Sequence, residues 1–293
     1  MSTFILILFT GIGLGALYFL VASGLSLIYG LMGVLNFAHG TFLTVGAFVA
    51  LWLTQSVFKS TDVVPFFAAV IIGGLAAGIF ALLMEQLLIK KLYDRHIDQA
   101  LVTVGVSLAV GALLAGWFGN DLRLLMAPDF MNKAWNFAGA SIPVDRIVYF
   151  AVALLLLLGN FALLKYTRIG LVIRAGVENR TMVTALGVNV KLAFSFVFFL
   201  GGFAAGVGGV LISAYSSGVS PLMAGSWLIY GFIVVVVGGM GSVGGSFAAA
   251  MIIGILKQFT NYYASSLGDF VIVAVLVVVL LTRPQGLAGK VSA

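Results

Sequence analysis

The sequence predicts an all-α integral membrane protein, a polytopic bundle of about nine transmembrane helices, some of them broken or glycine-rich. Composition gives the first reason: 62% of the 293 residues are hydrophobic and only 8% charged, against roughly 25% charged in a soluble domain. The second is that apolar runs recur at lengths sufficient to cross a hydrocarbon core of about 30 Å. Helices solve the problem such a core sets, because each satisfies its backbone polar groups internally. The third is the lack of short alternating segments of the kind a membrane β-barrel needs. Cysteine is absent, which excludes disulfides and thiolate metal sites. The net charge of +6 reads as a topology signal, and no soluble basic surface for a nucleic acid is evident.

Apolar length and loop punctuation place spans near 4–30, 36–54, 64–88, 100–117, 147–164, 192–214, 226–240, 245–260 and 269–282. The chain reads as one transmembrane domain over 1–293, with a cytoplasmic loop at 165–191 and an external loop at 118–146. The first run follows no basic n-region and shows no cleavage site, so it is expected to stay as a span. As one straight helix, residues 4–35 would run about 48 Å, more than a bilayer needs, so this segment is expected to tilt, break or re-enter, and the count could be eight to ten.

Between Ser26 and Thr41 the strongly polar side chains are Asn36 and His39. Polar groups in a span need a partner or water, which makes both candidates for a functional role. Asn36 can equally cap a helix beginning at Phe37. His39 would then line a passage, bond a neighbouring helix or face headgroups, and no second ligand lies near it at metal spacing. Glu85 and Lys257, near span ends, are expected to snorkel.

The third span ends in a loop holding Lys90, Lys91 and Arg95, and the fourth leads into residues 118–146, with Trp117, Trp135, Pro128 and Pro143. That segment suits either an external partner or a capped loop with its Trp rings at headgroup level. After the fifth span comes the basic run KYTRIGLVIRAGVENRTMVTALGVNVK, Lys165 to Lys191. Gly170 and Gly176 are expected to interrupt it, and Val177–Leu186 reads as a short helix with Glu178 in its first turn. Met182, Val183 and Leu186 share one face. Gly187 then stops the helix in the left-handed conformation, and Asn189 caps the next span. The unit is a small knob with an apolar contact face, although lying flat on anionic headgroups would suit its cations as well. With this loop inside, ten of the 15 Lys and Arg residues fall on the inner side, the bias that membrane insertion favours.

Gly makes up 37 residues. The pairs Gly11 and Gly15, Gly74 and Gly78, and Gly202 and Gly206 leave smooth stripes for close helix packing. Two clusters, GLSLIYGLMGVLNFAHG from Gly24 and LIYGFIVVVVGGMGSVGG from Leu228, share LIYG and suggest an internal duplication. Asp269 opens the last span and Pro284 follows it, as helix ends require. The spans hold almost no carboxylates or histidines to bind a driving ion, so energy for pumping would come from elsewhere.

The run LSLIYGLMGVLNFAHGTFLTVGAFVA resembles the N-terminal signature of the branched-chain amino-acid ABC-importer permeases of bacteria, the family of the high-affinity leucine, isoleucine and valine system. TRIGLVIRAGVENRTMVTALGVNV is similar to that family's ATPase-coupling loop, though ENRTM departs from the more acidic, alanine-rich helix common there. YGFIVVVVGGMGSVGGSFAAAMIIGIL and RPQGLAGK complete a resemblance over essentially the whole chain. It implies a multi-pass permease of the bacterial plasma (inner) membrane. Two permease subunits, the second a related or an identical chain, would enclose the pathway. Two cytoplasmic ATPases would bind below, and an external binding protein would deliver substrate. Arg174, Glu178, Arg180, Leu186 and Gly187 are the candidate coupling residues, and Asn36, His39, Gly239, Gly241 and Gly244 the candidate pathway residues. No G-x-x-x-x-G-K-[ST] loop occurs. The chain is therefore expected to be a transport subunit and no enzyme, with no cofactor of its own and with ATP and magnesium on the partner ATPases. The alternative is a stand-alone ion-coupled carrier or facilitative channel for a small polar solute such as urea or an amide.

Overall fold

The computed structural model describes residues 2–60, 62–93, 95–125, 127–137, 139–178, 180–187 and 189–288, with the side chains of 177, 178, 180 and 181 outside the description. The helices are α1 (Ser2–Met32), α2 (His39–Trp52), α3 (Val63–Leu87), α4 (His96–Phe118), α5 (Val144–Tyr166), α6 (Arg168–Glu178), α7 (Arg180–Ala185), α8 (Val190–Tyr215), α9 (Met223–Gly238), α10 (Val243–Tyr263) and α11 (Gly268–Thr282). Eight described segments, counting the π-helical turn that extends α2 to Phe58, are long and apolar enough to cross a membrane, and the shorter apolar α9 makes a ninth. A helix stands at every expected span, although α9, at 16 residues, is shorter than a full crossing requires.

Helix α1 is continuous over 31 residues, so the excess length is not taken up by a break within it. The break comes after Met32. Gly33 turns at φ +65°, and residues 33–38 run back into the bundle before α2 begins at His39. His39 reaches the carbonyl of Val21, which stands eleven residues, or about 16 Å, above the end of α1. Helix α2 therefore starts deep inside the bundle, with irregular backbone tolerated there because protein surrounds it.

Contacts along the helices alternate in direction. Helix α1 runs against α10, with Phe4 on Phe259 and Phe19 on Phe247. It runs alongside α9, with Tyr18 on Tyr230 and a Cβ built on Gly30 meeting Gly241. The start of α1 and the end of α11 consequently lie at opposite ends. The expected glycine stripes are packing surfaces: Gly11 and Gly15 face the backbone of α10, while Gly74 and Gly78 meet Phe203 and Phe199 of α8. Gly202 and Gly206 meet Ala81 and Ala77 in return. The two LIYG runs do not occupy equivalent places, for one ends α1 at Leu27–Gly30 and the other lies within α9 at Leu228–Gly231. The shared LIYG run therefore lends the duplication no structural support.

The described residues of 119–143 form a cap at the end of the bundle away from the basic loop, called the outer end after its expected placement. Strand β1 (Ala134–Phe137) pairs antiparallel with β2 (Ala140–Pro143), and Arg123 exchanges two backbone hydrogen bonds with Val219 at 2.9 and 2.8 Å. Leu125 and Met131 are buried in the main core beneath it, and Trp117 is 85% exposed.

Two side chains expected to snorkel do not. Glu85 is fully buried, its carboxyl accepting from Tyr93 and from Ser195. Lys257 is held in the outer end by Asp269 at 2.8 Å, with Nζ 4.5 Å from the centre of the Tyr230 ring. Both have partners within reach at their own depth, so stretching to water gains nothing.

Candidate functional site

Two regions carry the polar chemistry, one inside the helices and one at the inner end. In the first, Asn36 is fully buried and its Oδ1 accepts from Ala38 N at 3.0 Å. This is an Asx turn that feeds α2 from two residues before its cap, Ala38, so the expected cap is present in kind but the helix begins later than Phe37. His39 Nε2 lies 3.0 Å from Val21 O. A carbonyl can only accept, so Nε2 carries the proton. The ring is buried edge-on to Phe42 at 5.6 Å, bonding a neighbouring helix and not facing headgroups. Asn36 Nδ2 and His39 Nδ1 are buried without a hydrogen-bond partner. Gly24 makes room for the imidazole where α1 and α8 cross, a Cβ built there standing 2.8 Å from His39 Cε1 and closer still to Gly201 O.

Helix α4 registers on this segment by two hydroxyls one turn apart. Phe37 N donates to Thr103 Oγ1 and Thr41 Oγ1 donates to Ser107 Oγ, both at 3.2 Å. Above the second contact lies a cavity of about 410 Å³ between α2, α4 and the start of α9. Thr41, Thr44, Ser107 and Asn120 give it polar groups, and Leu108 and Leu222 give it apolar ones. Among the described residues no charged side chain lines it. These residues were missed in the sequence because Thr and Ser in a span ordinarily bond their own helix, as Thr44 does to Gly40 O. Only the fold shows which of them surround a space.

Gly239, Gly241 and Gly244 lie elsewhere, in and after the α9–α10 turn at the inner end. Gly239 and Gly241 take φ +99° and +90°, conformations a side chain would strain. Gly241 abuts Gly30, whereas nothing stands within 4 Å of a Cβ built on Gly244. The C-terminal segment closes over this turn, Leu287 N and Ala288 N donating to Val237 O and Gly238 O at 2.8 and 3.1 Å. The structure thus brings Asn36 and His39 together and leaves the three glycines about half a bilayer below.

The second region is the basic loop. Helix α6 runs through both Gly170 and Gly176, against the expectation that they interrupt the chain. Each lets α6 approach a neighbour, Gly170 the Leu163 and Leu164 carbonyls and Gly176 the Val190 side chain. With Ile173, fully buried between them, they form a face repeating every three residues that was present in the sequence. The short helix expected over Val177–Leu186 is found only as α7 from Arg180 to Ala185; Val177 and Glu178 end α6 instead, so Glu178 is in the last turn of the longer helix and not in the first turn of the short one. Leu186 N donates to Met182 O at 3.1 Å, and Gly187 stops the helix at φ +80° as expected. Asn189 Oδ1 accepts from Leu192 N at 3.2 Å and caps α8.

Arg174, Leu186 and Gly187 all lie on this α6–α7 unit, and so does the backbone of Glu178 and Arg180, whose side chains fall outside the described residues. Of the expected apolar face, Val183 turns inward onto Val190 and Phe194 of α8, beside Met32 and Tyr93. Met182 and Leu186 are 62% and 73% exposed. Helix α7 therefore rests on the first turns of α8 while presenting apolar surface outward.

A family model described as the branched-chain amino acid transport system permease component matches residues 7–280. The chain is 28% identical over 294 aligned residues to the high-affinity branched-chain amino acid transport system permease protein LivH of Escherichia coli K12, covering 97% of this chain and 94% of that one. It is 26% identical to the corresponding protein BraD of Pseudomonas aeruginosa, covering 97% and 95%. Among solved structures, PsaBC from Streptococcus pneumoniae in complex with Fab aligns over 93% of this chain and 89% of that one, at a TM-score of 0.47 and 15% identity.

Proposed function

Since this chain belongs to the family of branched-chain amino acid transport permease components, and is a multi-pass membrane protein with a transport role, we propose that it is one of two permease subunits of a binding-protein-dependent ABC importer. Two cytoplasmic ATPases dock on the α6–α7 units and supply the energy, and an external protein delivers a branched-chain or related amino acid. The observation that carries this reading is mechanical. The exposed helix α7 packs through Val183 on Val190 and Phe194, and Asn189 welds the connection to α8, so displacement of α7 passes into a helix that crosses the whole bundle.

The cavity between α2, α4 and α9 serves as the outer part of the pathway. Its mixed lining of hydroxyls, an amide and aliphatic groups suits a solute with a polar head and an apolar side chain. Asn36 and His39 form the next stage inward, and the Gly30–Gly241 contact with the C-terminal segment closes the inner end. The second permease completes the passage, and ATP and magnesium belong to the ATPase chains.

Complexes co-expressed with the second permease, the ATPases and the binding protein should hydrolyse ATP faster when the binding protein is loaded. A rate indifferent to the loaded binding protein would overturn the reading.

A further inference from the structure

A groove of about 540 Å³ follows the inner half of α8, walled by Leu82 of α3, Ile169 of α6, and Leu192, Phe196 and Phe199 of α8, with Arg168 at its rim. From Asn189 to Phe199, both of which line it, α8 rises about 15 Å. That is half of a hydrocarbon core of about 30 Å, the depth of one leaflet. The rim is cationic at headgroup level. Arg168 is exposed and forms no ion pair with a described residue, the ion pairs among the described residues being Arg95–Asp98, Arg146–Asp145 and Lys257–Asp269. Lys165, in the last turn of α5, rests its Nζ on the rings of Phe161 and Tyr166 at 5.3 and 5.4 Å.

We infer that this groove holds one acyl chain of an anionic phospholipid of the inner leaflet, with the lipid phosphate at Arg168. A convex helix face would only be wetted by lipid, whereas here three elements meet in a concave slot one leaflet deep, under a cation with no carboxylate partner among the described residues. The negative inner surface of the membrane supplies the complementary charge. Once seated, the acyl chain fills the space between α6 and α8 and braces the unit that carries α7. Ser195, which holds Glu85, lines the same slot, so the lipid abuts the contact that joins α3 to α8. The inference stands on membrane placement and orientation and does not require that the chain transport anything.

Native mass spectrometry of the full chain in mild detergent, titrated with phosphatidylglycerol or phosphatidylcholine of matched acyl chains, tests it directly. The wild type should retain phosphatidylglycerol about fivefold more tightly, the preference one cation supplies near an anionic headgroup. Arg168→Gln should abolish that preference and Arg168→Lys restore it. Ile169→Glu, at a wall position 44% exposed and so outside the packed core, should lose both lipids, while Leu281→Glu, 81% exposed on α11 and not part of the groove lining, should lose neither. Equal retention of the two lipids by the wild type, or a preference that survives Arg168→Gln, would overturn the proposal. So would displacement by inorganic phosphate alone, which marks a free-anion site, or exclusion of lipid once partner subunits co-purify, which marks a protein interface.

Discussion

Ser195 Oγ in α8 donates to Glu85 Oε2 in α3 at 2.5 Å, joining positions 110 residues apart. The other carboxyl oxygen accepts from Tyr93 of the α3–α4 loop, so one fully buried side chain ties two spans and a loop beside the helices that carry α7. Hydrogen bonds to a buried carboxyl have no solvent substitute. Ser195→Ala should lower the unfolding free energy by about 1–3 kcal/mol, read by denaturant or thermal unfolding of the full chain in mild detergent. Glu85→Gln, which keeps an acceptor, should be milder than Glu85→Ala.

The crossing of α2 on α8 depends on bare backbone. A Cβ built on Gly46 would stand 2.6 Å from Gly206 Cα, whereas one on Gly105 of α4 meets nothing within 4 Å. Gly46→Ala should destabilise by about 1–3 kcal/mol through overpacking. Gly105→Ala should be neutral or stabilising by up to about 1 kcal/mol. The same unfolding assay compares them, and equal effects would contradict the packing described.

The cavity predicts a binding phenotype without a folding one. Thr41 and Ser107 face it and bond each other at 3.2 Å, so Thr41→Val and Ser107→Ala remove polar partners at almost unchanged volume. Each should raise the KM of uptake about fivefold, near 1 kcal/mol, while expression and thermal stability hold.

Coupling predicts the reverse pattern. Gly187 sits at φ +80°, where a β-branched residue costs about 1–2 kcal/mol, and Asn189 caps α8, a bond whose loss costs about 1 kcal/mol. Gly187→Val and Asn189→Ala should leave basal ATPase activity of the complex intact and reduce its stimulation by loaded binding protein, with the double variant worse than either. Stimulation that survives both would remove α7 from the coupling path.

Much of this was legible in the residues, and the failures have physical causes. Span positions followed from apolar length, because a bilayer imposes a fixed requirement on every crossing. The stop at Gly187 and the cap at Asn189 were legible because both are local backbone chemistry. Glu85 was misread since its partners lie on another helix and a loop, and sequence distance conceals them. The cavity was missed for a related reason: Thr41, Thr44 and Ser107 are ordinary in composition and become a lining only when α2, started late by the turn at Gly33, meets α4 and α9. Gly170 and Gly176 read as interruptions because glycine disfavours helix in isolation, whereas here each admits a neighbouring backbone or side chain at close range.

Transport through this chain is proposed to be powered from outside it, through α7. Radiolabelled branched-chain amino acid uptake into vesicles tests it most directly, comparing the full complex with ATP, the full complex without ATP, and this chain alone. Uptake is expected only in the first case, and is expected to be lost when residues 180–187 are replaced by a flexible linker. Nucleotide-independent uptake by the isolated chain would contradict it and make the protein a self-sufficient carrier or channel.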